Sequence, residues 1–105
     1  MHLFTIICEF RGGTYTRQMS AKDPVRAFEQ WAAHFQHDNV LSPAEKEMFE
    51  TAVAYSLSEN GLTAMENLQN VWYEGFSLGD DLLEVMVIAM SPTPVTTRPA
   101  AHPAS

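Results

Sequence analysis

The sequence predicts an α+β domain of order ββααββ, a four-stranded antiparallel sheet with two helices packed on one face. Three observations carry that expectation. Gly12-Gly13 interrupts an alternating run of apolar and polar residues near the N-terminus. Two proline-headed segments with helical apolar spacing follow it. A second strand-like stretch, residues 71–90, breaks at Gly79-Asp80-Asp81.

The first run reads as a hairpin. A two-residue loop at Gly12-Gly13 pairs Phe10 with Tyr15, Cys8 with Arg17, Ile6 with Met19 and Phe4 with Ala21. That face is apolar except at Arg17. The opposite face (Thr5, Ile7, Glu9, Thr16, Gln18, Ser20) is mostly polar. Both strands agree on which face is apolar, and the agreement supports the pairing. Parity keeps Arg17 beside Tyr15 and Met19. Burying its charge unpaired would cost several kcal/mol, so its head is expected at the sheet edge or on an acidic partner such as Glu29.

Asp23-Pro24 opens the first helix, with Asp23 as N-cap and Pro24 at the first helical position. Val25, Phe28, Trp31, Ala32 and Phe35 form one apolar stripe, and fraying is expected near residues 37–39. Ser42-Pro43-Ala44-Glu45 is a capping box that starts the second helix, and Asn60-Gly61 ends it. The apolar residues of this helix spread over a wide stripe: Met48, Phe49, Ala52, Val53, Tyr55 and Leu57. Residues 62–70 read as a loop with one helical turn. Residues 71–78 and 82–90 read as strands, and the second is apolar at nearly every position, which places it centrally in the sheet. Several large apolar side chains then face away from the helices. The set is Val71, Tyr73, Val85 and Val87, or the alternating one with Trp72, Phe76, Met86 and Ile88. Such a face calls for a cover, and a homodimer is the expected one.

Residues 1–90 make one domain, large enough for a core without disulfides or metal. Residues 91–105 hold four of the six prolines and little apolar bulk, and a disordered tail is expected there. The apolar start lacks a basic leading segment and a small-residue cleavage site. No stretch reaches the ~20 apolar residues of a membrane-spanning helix. A cytoplasmic protein with no membrane partner is expected, and the single Cys8 fits a reducing compartment.

The net charge of −7 is uneven. Residues 40–90 hold nine acidic side chains against Lys46 alone, a local charge of −8. Clustered Lys and Arg are missing, which argues against nucleic acid, whereas a basic protein partner would be steered in.

No motif specifies a catalytic site or a cofactor. Cys8 beside Arg17 is read as a buried inert thiol rather than an activated one. His34, His37 and Asp38 share the end of the first helix without a third defined metal ligand, and the dipole there favours histidines in any case. Glu74 and Glu84 sit in the second hairpin and could approach each other across it, an arrangement of glycosidase type, though both read more simply as solvated strand residues. The interface candidates are Arg17, Trp72, Tyr73, Glu74 and Glu84, with Trp72 or Tyr73 as the aromatic anchor. The expected function is a small acidic noncatalytic protein-binding domain, of the class that includes bacterial toxin-neutralising proteins. A homo-oligomer built on the sheet face and a small ligand-binding domain or enzyme with a helix–sheet pocket are the alternatives.

Overall fold

The computed structural model describes residues 1–59 and 61–97. The elements in chain order are β1 (His2–Phe10), β2 (Gly13–Ala21), α1 (Pro24–His37), α2 (Pro43–Ser58), β3 (Thr63–Ala64), β4 (Val71–Leu78) and β5 (Asp81–Ala89). The strands form one antiparallel sheet of order β2-β1-β5-β4-β3. The α+β class holds, but with five strands instead of four. The additional strand, β3, lies in the segment expected to be a loop, with Thr63 opposite Tyr73 and Ala64 opposite Trp72. Two residues carry no readable alternation, so only their neighbour makes them a strand.

The first hairpin turns on Arg11-Gly12, one residue earlier than expected. Both have positive φ, 51° and 77°, as a type I′ turn requires. Phe10 therefore pairs with Gly13, Cys8 with Tyr15, Ile6 with Arg17 and Phe4 with Met19. Each partner moves by two residues, which leaves every side chain on its expected face. Arg11 takes a backbone conformation usually left to glycine because its side chain is held by distant groups. Its guanidinium donates to Asp81 at 2.8 Å and to both carboxylate oxygens of Glu45, and lies 4.7 Å over the Phe10 ring.

The second hairpin turns on Gly79-Asp80, with Leu78 opposite Asp81 and φ of 68° at Gly79. The turn is one residue shorter than expected, and that change re-sorts the strands. Val71 and Tyr73 share the outer face with Met86 and Ile88, while Val85 and Val87 lie on the helix side with Trp72 and Phe76. Either outward set named from sequence mixed the two faces.

The helices start as their caps dictate. Asp23 accepts from the Arg26 N–H at 2.8 Å. Ser42 and Glu45 form the reciprocal capping box. Every fully buried strand residue (Phe4, Ile6, Cys8, Phe10, Leu83, Val85 and Val87 among them) lies on the face that α1 and α2 cover. Aromatic rings join the layers. Trp31 stacks on Phe35 at 5.0 Å and Phe28 on Phe76 at 6.0 Å, and Phe49 meets Trp31, Phe35 and Phe76 edge-on or tilted. Such pairs add about 0.5–1.5 kcal/mol each beyond the burial of their area.

Part of the segment expected to be disordered has specific contacts. The Asn70 side chain donates to the carbonyls of Ser91 and Thr93 and accepts from Val95 N–H at 2.7 Å. Trp72 Nε1 donates to Thr97 Oγ1 at 2.8 Å, and Val95 packs on the core. Polar contacts, which low apolar content does not reveal, hold residues 91–97. Residues 98–105 and Asn60, expected to help end α2, lie outside the described residues. Among the described residues no helix is long and apolar enough to cross a membrane.

Glu45 ties the first turn to α2, and the Ser42 N–H, followed by the Arg11 guanidinium, holds its carboxyl below the usual carboxylate range. A depressed carboxyl pKa contributes stability that is fully present above the ordinary glutamate range and is lost as pH falls through the lowered value. Glu45→Gln should therefore lower the melting temperature at neutral pH, with the gap to wild type closing as both proteins are acidified. Thermal melts across pH check this, and a gap independent of pH contradicts it.

Candidate functional site

The wide apolar stripe of α2 divides in the structure. Phe49 and Val53 enter the core with the capping Glu45. Met48, Ala52 and Tyr55 lie at the i, i+4 and i+7 positions of an adjacent face that the core leaves outside. Met48 is 40% exposed and Tyr55 68%. Together with Glu47 and Glu59 they form one wall of an open groove of about 1100 Å³.

Residues Glu74, Gly75, Phe76 and Ser77 of β4 form the facing wall. The Ser56 hydroxyl, at the last turn of α2, donates to Glu74 at 2.5 Å and joins the walls at one end. Gly61 packs against this pair, where a Cβ would collide with the Glu74 carboxylate and the Ser56 hydroxyl. The other Glu74 oxygen accepts from the Gly75 N–H at 2.8 Å. Among the described residues, three carboxylates (Glu47, Glu59 and Glu74) line the groove, and no Lys or Arg does.

The five interface candidates do not converge. Arg17 sits on the edge strand β2, its guanidinium 3.8 Å from Asp38, the C-cap of α1, with both side chains about two-fifths exposed. The charge thus reaches both the edge and an acidic partner, but the partner is Asp38 and not Glu29. Trp72 is buried on the helix side, against Phe4 and Thr97. Tyr73 lies on the open face, where its hydroxyl donates to Glu84 at 2.9 Å and its ring covers Gly75. The bond to Glu84 pushes the Tyr73 pKa up. Glu74 belongs to the groove, on the helix side.

Register also separates Glu74 from Glu84. Gly75, not Glu74, stands opposite Glu84, so Glu74 and Glu84 project from opposite faces of the sheet and cannot act as an acid–base couple. Cys8 lies across from Tyr15 and away from any cation it could pair with in the ladder. His34 and His37 are exposed on the last turn of α1, and among the described residues no three His, Cys, Asp or Glu side chains are grouped to hold a metal ion.

The open face of the sheet is the second surface of note. Ile7 lies opposite Met86 on β5, and Met86 opposite Tyr73 on β4, which makes a half-buried apolar row. Leu82 extends the patch and is 54% exposed.

The sequence offers a helix–sheet pocket only as an alternative and, of the residues that line this groove, singles out only Glu74 as a site candidate. The surplus of apolar residues on α2, wider than one core-facing stripe, was its only readable signal. Cys8 gives a direct check on the chemistry. Burial, followed by the charge of Glu9, pushes its pKa up to about 12, so the thiol stays protonated at neutral pH. In the folded protein it should resist a thiol reagent and react at the rate of a free thiol after denaturation. Fast labelling of the native protein contradicts the burial.

No family model matches the chain, and neither a curated protein nor a solved structure resembles it significantly.

Proposed function

We propose that the protein is a small noncatalytic protein-binding domain whose acidic side receives a basic partner. The observation that carries this reading is the α2–β4 groove, where Met48 and Tyr55 expose apolar surface among Glu47, Glu59 and Glu74, with no cation among the described lining residues. Aromatic and Met side chains are favoured at recognition surfaces, and complementary charge speeds encounter with a partner. Among the described residues, neither Cys8, Arg17 nor a histidine lines the groove. Neutralising a toxin is one role of such a domain, supported by size and acidity alone.

A second reading has its own observation. The apolar row of Ile7, Met86 and Tyr73 on the open sheet face fits a symmetric homodimer.

Co-purification from the source cells separates the two. Wild type is expected to retain a basic protein in a salt-sensitive manner, and a Glu47→Lys/Glu59→Lys variant to lose it. An identical set of retained proteins would contradict the groove reading. Light scattering tests the second reading: a dimer that Met86→Lys converts to monomer supports it, and a strict monomer at high concentration removes it.

A further inference from the structure

We propose that the α2–β4 groove takes an extended, basic segment of a partner protein, added as a strand along the free edge of β4. The inference rests on the reading of the groove as a protein-binding site and specifies the form of its ligand.

Hydrogen-bond direction identifies the edge. In an antiparallel ladder, successive residues turn their N–H and C=O groups alternately toward the two neighbours. The Asn70 carbonyl accepts from Ala89 next to β5, whereas the Val71 carbonyl accepts from Met65 on the other side. Alternation then turns Tyr73, Gly75 and Ser77 away from β5, as it does Val71. Tyr73 meets Thr63 there, and β3 pairing ends with that residue. Gly75 and Ser77 continue the edge with no strand beside them among the described residues, and both line the groove.

Gly75 shows how this edge is occupied in the free protein. Its N–H donates to the Glu74 carboxylate, which stands where the carbonyl of a neighbouring strand would stand. Charged side chains commonly guard an open edge in this way. A glycine in a strand also admits close approach of another backbone. An entering strand would supply its own carbonyl to Gly75, and Glu74, still held by Ser56, would turn to a cation of that strand. Glu47 and Glu59 on the α2 wall repeat the demand for positive charge, and Met48 and Tyr55 give apolar side chains a surface. Lysine suits both, since its stem packs on apolar surface while its head reaches a carboxylate. Peptides bound by strand addition gain affinity from the main chain and specificity from alternate side chains.

The test uses the full chain and three fluorescein-labelled ten-residue peptides. One alternates lysine and valine. The second carries N-methyl groups at alternate peptide bonds of the same sequence, which blocks strand pairing and keeps the charge. The third has glutamate in place of lysine. Anisotropy should show saturable binding of the first, at least tenfold weaker binding of the second and none of the third. Amide exchange read by NMR should show Ser77 and Gly75 gaining protection in the first complex. Glu74→Gln, which retains the size of the side chain, should weaken the lysine peptide about fivefold. Equal binding of the N-methylated peptide, with Ser77 unprotected, overturns strand addition and leaves the groove reading in place. Equal binding of the glutamate peptide overturns the preference for a basic segment. No saturable binding of any peptide overturns strand addition together with the groove reading.

Discussion

Ile6 lies across from Val87 and Cys8 from Val85, and this antiparallel pairing of β1 with β5 joins two hairpins that the whole helical pair separates in sequence. The pairing puts the inner strands of both hairpins at the centre of the sheet and leaves β2 and the β3–β4 side as its edges. Because Phe10 pairs with Leu83, the two turns lie side by side, and Arg11 in one turn can reach Asp81 in the other. The same guanidinium holds Glu45 at the start of α2, so one side chain links both hairpins and the helix that walls the groove. Pairing over long sequence distance closes large loops, and its entropic cost is met by the apolar side chains it buries on one face.

Burial on that face sets the chemistry of what remains. Phe28, Trp31, Phe35, Phe49 and Phe76 form a continuous aromatic contact between α1, α2 and β4. Phe49 is fully buried against Phe76 of β4, and the next face of α2, with Met48 and Tyr55, stays outside the core. The groove is thus a consequence of how a helix with more apolar surface than one face can bury is seated. Its acidity comes from Glu47 on the same helix, from Glu59 at its C-cap and from Glu74 on β4.

Much of the fold was legible where local chemistry speaks alone. Asp23-Pro24 and the Ser42 capping box marked both helix starts, since their side chains satisfy backbone groups within three residues. Side-chain parity of the first hairpin was legible as well, and survived a misplaced turn. The turn itself was not, because two glycines outbid an arginine on local preference, and the contacts that hold Arg11 come from residues 34 and 70 positions away. The second turn shows how little separates two readings: shortening it by one residue moves Val85 and Val87 to the other face relative to Val71 and Tyr73. The site was hardly legible at all. Glu74 and Ser56 lie 18 residues apart and meet only when α2 settles on β4, and β3 exists only where an edge accepts it.

Strand addition requires the edge of β4 to be open at Ser77 and closed one residue earlier, at Phe76, by β5. Residue-resolved hydrogen exchange on the unliganded protein reads this alternation directly. Slow exchange at Phe76 and Tyr73 with fast exchange at Ser77 is the predicted pattern. A Ser77 amide as slow as that of Phe76 would mean that the edge already has a partner, and would contradict the account.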